Sequence, residues 1–259
     1  MRTHDDIRLR EAGLPDTDLG PVLAEQADPL LFATVSGAHL YGFPSQDSDV
    51  DLRGVHLLPL DALVGLREPD ETRSRMWVRD GIEMDLVTHD LRKFVRLMLR
   101  RNGYVLEQLL SPLVVHTSDA HAELVALAPD VLTSHHAHHY RGFATTQERL
   151  FEKTGELKPL LYAFRVLLTG IHLMRSGEVQ AHLPSLIGLV DAPAYLPDLV
   201  AAKAGAEHGA ADVEHARVAD DLARLHALLD AAQADSGLPD APAAYDALHD
   251  LVVRVRLER

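Results

Sequence analysis

The stretch from Leu30 to Gly54 limits most what this chain can fold into. It opens with LLFATV, a mostly apolar run without alternation, which predicts a central strand covered on both faces. Ser36-Gly37 ends that strand. Ala38 to Gly42 can form a helical turn whose first amides point back at Gly37, an arrangement suited to a phosphate anion. After the turn residues Phe43 to Ser48 the pattern becomes a clean alternation from Asp49 to Leu58. Val50 and Leu52 fall on one side of that second strand, and Asp49, Asp51 and Arg53 on the other, so two carboxylates emerge side by side.

The following segments continue the mixture of strand and helix. Pro59 to Leu66 predicts a short helix, and Arg67 to Arg75 a charged loop. Met76-Trp77-Val78 and Ile82 to Val87 form a hairpin with Asp80-Gly81 at its tip. In its second strand Ile82, Met84 and Leu86 share one face, and Asp85 lies on the opposite one with Glu83 and Val87. Thr88-His89-Asp90 caps a helix, LRKFVRLMLRR, followed by a helical segment over Tyr104 to Leu110 and a short strand at Leu113 to Val115. Beyond Thr117 the periodicity is almost purely helical, with segments at Ser134 to Lys153, Pro159 to Ser176, Asp198 to Ala234 and Ala243 to Leu257. The expected fold is α+β, a mixed β-sheet flanked by helices and followed by a C-terminal helical bundle. The expected division is a catalytic domain over 1–118 and a helical domain over 119–259 that covers its cleft.

Two carboxylates one residue apart on a strand suit divalent cations, which in a two-metal site stand about 3.5 to 4 Å apart. Mg²⁺ prefers such oxygen ligands and completes its shell with water and substrate phosphates, and Mn²⁺ is a common substitute. Asp85 has the right face to supply a third carboxylate. The pattern alone is weak in a chain with 39 acidic residues, since Asp16-Thr17-Asp18 repeats it without evident purpose. Its context strengthens it, because a phosphate cradle facing metal ligands is what transfer from a nucleoside triphosphate requires.

The run VSGAHLYGFPSQDSDVDLRGV resembles the signature of the polymerase-beta-type nucleotidyltransferases. It is most similar to the small bacterial predicted nucleotidyltransferases that include a group associated with RNA-repair RNA ligases. Asp90 to Phe94, Tyr140 to Phe143 and Lys158 to Arg165 also resemble that group. The resemblance implies that Asp49, Asp51 and Asp85 bind two Mg²⁺ ions, with Asp85 helping to activate the acceptor hydroxyl. It implies that Ser36 and Gly37 approach the triphosphate of a nucleotide such as ATP. Ala38 departs from the pattern, where a serine contacts phosphate. In the helical half, Lys158, Tyr162 and Arg165 fall at i, i+4 and i+7, so they can share a face for base and phosphate. An RNA end and an RNA-repair ligase are the implied partners, and a protein side chain or a small molecule stays open as the acceptor.

Composition narrows the alternatives. There is no cysteine, and the net charge is −14, which argues against coating nucleic acid through many phosphate contacts. The charged N-terminus lacks a signal-peptide core, so the expected setting is cytoplasmic, without a membrane partner. The basic face Arg92, Lys93, Arg96, Arg100 and Arg101 reads first as solvated surface and second as a track for an RNA backbone. His135, His136, His138 and His139 invite zinc but lack a third ligand in sequence. His39 and His89 read as structural hydrogen-bonders, and Arg53 as an ion-pair partner of the acidic cluster.

The leading expectation is therefore Mg²⁺-dependent transfer of NMP from an NTP to an acceptor hydroxyl, with release of pyrophosphate. A nucleotide sensor that keeps the fold without turnover is the alternative, supported by Ala38 alone. A metal-dependent phosphohydrolase is less favoured, because most histidines are far in sequence from the acidic strand.

Overall fold

The computed structural model describes residues 4–15, 17–205 and 211–257. Asp16 of the second Asp-x-Asp, and 206–210 of the segment read as helical from Asp198, lie outside the described residues. The chain forms two compact units, one of Met1–Leu40, Asp49–Val131 and Pro242–Arg259, the other of Tyr41–Ser48 and Leu132–Ala241. Where the sequence places the change of character at 118/119, compactness places it at 131/132. It also returns the last helix to the first unit.

The first unit contains α1 (His4–Glu11), α2 (Gly20–Ala24), β1 (Leu30–Val35), α3 (Gly37–Tyr41, which leads out of the unit), β2 (Val50–His56), α4 (Leu60–Val64), β3 (Thr72–Arg79), β4 (Ile82–Asp90), α5 (Leu91–Met98), α6 (Gly103–Leu109), β5 (Val114–His116) and α7 (Asp119–Leu127). Its five strands lie in the order β3-β4-β2-β1-β5. β2 and β4 run parallel and the other pairings are antiparallel, so the sheet is mixed as expected. β3 begins at Thr72, four residues before the expected start. As an edge strand it carries charged side chains that make its first half look like a loop. α7 precedes the first helical segment expected beyond Thr117; Ser118 caps it by accepting the His121 N–H.

The alternation of β2 separates its two faces as predicted. On the face of Arg53 and Val55, Phe32 meets the edge of Phe94 from α5 at 5.5 Å and stacks on His121 from α7 at 4.4 Å. Thr34 there donates to the Gln108 carbonyl of α6. The unit is closed by α13 (Tyr245–Leu257). Its Arg256 donates through Nη2 to both oxygens of Asp90, at 2.6 and 2.7 Å. Asp90 is fully buried, and it also caps α5 through the Arg92 N–H and accepts the Leu58 N–H.

The second unit holds α8 (Ala137–Thr154), α9 (Leu157–Ser176), α10 (Leu183–Leu189), α11 (Leu196–Lys203) and α12 (His215–Ala234). α9 is its core, with Leu160, Leu161, Phe164, Leu167, Leu168 and Ile171 all buried. Gly177 in the left-handed conformation stops it, as the sequence predicts. By length and a mean hydropathy of 1.2 this helix could cross a membrane, yet 83% of its most apolar window is buried inside the protein. Gly170 lets α8 and α12 close on it: an added Cβ would stand 2.9 Å from Tyr140 and 3.0 Å from Leu229. Val218, Leu222, Leu225 and Leu229 form a buried stripe on α12.

Candidate active site

The parallel pairing of β2 with β4 sets Asp51 opposite Asp85. Side chains opposite one another on neighbouring strands share a face, so the two carboxylates, both half-buried, stand together. Arg53, two residues on from Asp51, lies on the same face. Its Nη2 donates to Asp51 Oδ1 and to Asp85 Oδ2, both at 2.7 Å. Nη1 donates to the carbonyls of Leu52 and Asp85, both at 2.9 Å, and Nε to the Tyr104 hydroxyl at 3.1 Å. The ion pair expected for Arg53 is therefore a bridge between both carboxylates. Burial alone would lower the Arg53 pKa, but Tyr104, Asp51 and Asp85 outweigh it and the pKa is raised. The guanidinium is a permanent charge.

The Ser36-Gly37 turn abuts Asp51 of this pair. The Ser36 N–H donates to the Asp51 carbonyl at 2.8 Å. Gly37 has φ +61°, and a Cβ there would stand 1.8 Å from Asp51 Oδ2, so the aspartate occupies the space that only glycine leaves. The Ser36 hydroxyl is buried and finds no hydrogen-bond partner among the described residues. The Ala38 methyl is buried as well. His39 directs Nδ1–H at the Ala12 carbonyl, and burial lowers its pKa against the raising effects of that bond and of Asp49.

Asp49 is half-buried, immediately before β2. None of the Arg53 bonds reaches it. Among the described residues no three His, Asp or Glu side chains are gathered as a ready-made metal cage. The all-oxygen donor set nonetheless fits a hard divalent cation. The bridging guanidinium shows that Asp51 and Asp85 already share a positive charge.

Arg165 is buried, with its guanidinium 3.7 Å over the Tyr41 ring and 5.9 Å from that of Tyr162. Tyr162 meets Tyr41 and Phe43 edge-on at 5.4 Å. Lys158 is half-buried one turn earlier. The histidine group is engaged locally: His136 closes a cap with Thr133, His135 stacks on His138, and His139 packs against Tyr140 and Phe143. Two residues went unremarked in the sequence. Tyr104 braces Arg53, and Lys203, buried at the end of α11, donates to Ser45 Oγ at 3.0 Å. Nothing in the local pattern around either residue signals these contacts.

Comparison with known proteins then decides the family. The model of the RlaP family, described as the RNA repair pathway DNA polymerase beta family, matches residues 16–254. The chain belongs to that family. This establishes a polymerase-beta-type nucleotidyltransferase lineage for the sheet bearing Asp51 and Asp85. An uncharacterised protein of Methanocaldococcus jannaschii is 32% identical over 161 residues, covering 60% of this chain and 64% of its own length. The uncharacterised protein YcgL of Bacillus subtilis is 25% identical over 162 residues, 58% of each chain. The match thus spans about three fifths of the length of these curated relatives. A solved nucleotidyltransferase-like protein from Exiguobacterium sibiricum aligns over 96% of this chain and 80% of its own, at 13% identity and a TM-score of 0.32.

Proposed function

We propose that this member of the family transfers NMP from a nucleoside triphosphate to an acceptor hydroxyl with release of pyrophosphate. The observation that carries the reading is the register pair Asp51 and Asp85, with Asp51 packed against the Ser36-Gly37 turn. Asp49, Asp51 and Asp85 are assigned to hold Mg²⁺, two ions in the full reaction complex, with Mn²⁺ as a substitute. When bound, the metal supplies positive charge to the triphosphate. Asp85 takes the proton of the acceptor hydroxyl. The hydroxyl oxygen then bonds to the α-phosphorus as the bond to the bridging oxygen breaks and pyrophosphate leaves. Ser36 and Gly37 are assigned to the phosphates, with the buried Ser36 hydroxyl as an uncommitted donor. Lys158 and Tyr162 are assigned to base and phosphate, with the buried Arg165 holding the Tyr41 and Tyr162 rings. An RNA end is the acceptor favoured by the family description. Catalysis of this kind is mostly positioning and charge stabilisation.

The test is incubation with each labelled NTP, Mg²⁺ or Mn²⁺, and RNA or protein acceptors, comparing the natural chain with the Asp49→Ala/Asp51→Ala double variant. Label transfer that persists in the double variant rules the site out. Nucleotide binding with neither transfer nor pyrophosphate release favours the sensor.

A further inference from the structure

The sheet face that carries Asp51 and Asp85 continues past them onto the edge strand β3. Antiparallel register sets Met76 opposite Asp85 and Val78 opposite Glu83, so both apolar side chains stand on the carboxylate face. Met76 is 75% exposed and Val78 65%. Lys93 of α5 donates to Thr72 Oγ1, so α5 lies over the start of β3, and Met76 and Val78 beyond it are bare.

Edge strands are commonly kept soluble by charge. The opposite face of β3 follows that rule: Arg73 and Arg75 pair with Asp28 and Glu25, and Arg75 lies 4.4 Å over the Trp77 ring. The carboxylate face breaks it. A lone exposed methionine needs no explanation, but two apolar side chains in line beside Asp85 make a surface.

Its place decides what it meets. The Ser36-Gly37 turn adjoins Asp51 from the β1 side, so the assigned phosphate positions flank the carboxylates on one side and β3 on the other. Asp85 gives Oδ2 and its carbonyl to Arg53, and none of the Arg53 bonds takes Oδ1. A hydroxyl that passes its proton to Asp85 comes within about 3 Å of it, and neighbouring strands are about 4.8 Å apart. The group bearing that hydroxyl therefore reaches Met76. A thioether and an isopropyl group offer a phosphate nothing, and Glu83, exposed on the same face, repels one. They suit the flat face of a base, with the polarisable sulfur against the ring.

We propose that Met76 and Val78 form the platform on which the terminal unpaired base of an RNA acceptor rests, bringing its ribose hydroxyl to Asp85. The platform presupposes Asp85 as the residue that takes the acceptor's proton, and RNA as the acceptor class; it adds the surface that selects the acceptor.

The experiment uses the full chain and two short single-stranded RNAs labelled with a dye at the 5′ end. One ends in an ordinary 3′ adenosine, and the other keeps the last ribose and its hydroxyls but lacks the base. Fluorescence anisotropy reads binding, while labelled NTP with Mn²⁺ reads transfer to these RNAs and to protein acceptors. The natural chain binds the ordinary end about 2- to 10-fold more tightly than the abasic one, the range of a sulfur contact with a ring. Met76→Ser/Val78→Ser abolishes that preference, and Met76→Leu, which keeps an apolar side chain, retains it. Circular dichroism checks folding, and if the double variant is not folded, Met76→Ser alone decides. Equal binding of the two RNAs by the natural chain, a preference that survives in the folded serine variant, or transfer to protein with none to RNA each overturn the proposal. The expected preference without any transfer, or transfer that persists in Asp49→Ala/Asp51→Ala, overturns the reaction beneath it instead and is told apart by that result.

Discussion

Asp51 faces Asp85 across two parallel strands, and a single nitrogen of Arg53 lies 2.7 Å from an oxygen of each. The two aspartates thus form one electrostatic unit. Replacing either by asparagine removes a negative charge from the proposed metal site and a charged partner from a buried guanidinium. Asp51→Asn and Asp85→Asn are each expected to slow nucleotidyl transfer by on the order of 10²- to 10³-fold. Steady-state rates with labelled NTP check this, beside a urea melt that separates lost chemistry from lost fold.

Gly37→Ala tests the packing of the turn on Asp51. A left-handed backbone costs a non-glycine residue about 1 to 2 kcal/mol. The added methyl would also displace the Asp51 carboxylate from its place beside the turn. The expected outcome is a lower urea midpoint together with weakened Mn²⁺ binding. Unchanged Mn²⁺ affinity would show that the turn does not set the position of Asp51.

Arg256→Met leaves the Asp90 carboxylate buried without its ion partner. Breaking one side of such a buried pair costs about 3 to 5 kcal/mol. A fall of that size in the unfolding free energy of the first unit is expected, read from chemical denaturation by tryptophan fluorescence, since Trp77 lies on β3 of that unit.

Acid should destabilise the protein in a defined window. Burial, helped by nearby cationic groups, lowers His89 and His139 to about 4 from the ordinary 6.5. Between those values the unfolded chain binds protons that the folded chain does not, so stability falls as pH drops through 6.5 and levels off below about 4. Both rings are partly exposed, so the contribution is on the order of 1 kcal/mol each. His89→Gln should flatten the melting temperature between pH 6.5 and 4 relative to the natural chain, and parallel curves would count against it.

Tyr162→Ala separates a nucleotide role from a structural one. As a base contact it raises KM for NTP with little effect on kcat. As a member of the aromatic cluster with Tyr41 and Phe43 it lowers the unfolding free energy of the second unit instead. Arg165→Met is expected to act mainly on stability, because a desolvated cation over a ring is worth about 2 kcal/mol.

Much of the site was legible because it is local. The alternation through Asp49, Val50, Asp51, Leu52 and Arg53 reports its own faces, and Asp80-Gly81 announces the hairpin that carries Asp85. Parallel pairing of β2 with β4 gave the third carboxylate its place, and the compatible face could be read before the register was known. Helix spacing told that Lys158, Tyr162 and Arg165 share a side, but spacing does not reveal whether that side is wet, and Arg165 is buried beneath Tyr41. The start of β3 was obscured because an edge strand needs no apolar face at Arg73 and Arg75. Contacts across long stretches of chain, such as Arg256 with Asp90 and Lys203 with Ser45, leave no periodic trace at all.

The ion pair between Arg256 and Asp90 joins residues 166 positions apart. On a ribosome, Asp90 is made long before its partner, and all of Leu132–Ala241 is synthesised between them. A nascent chain therefore carries an uncompensated carboxylate at the start of α5 until its final helix emerges. A product truncated before α13 would therefore keep its helical unit whole while Asp90, in the unit that bears the sheet, lacks its cationic partner.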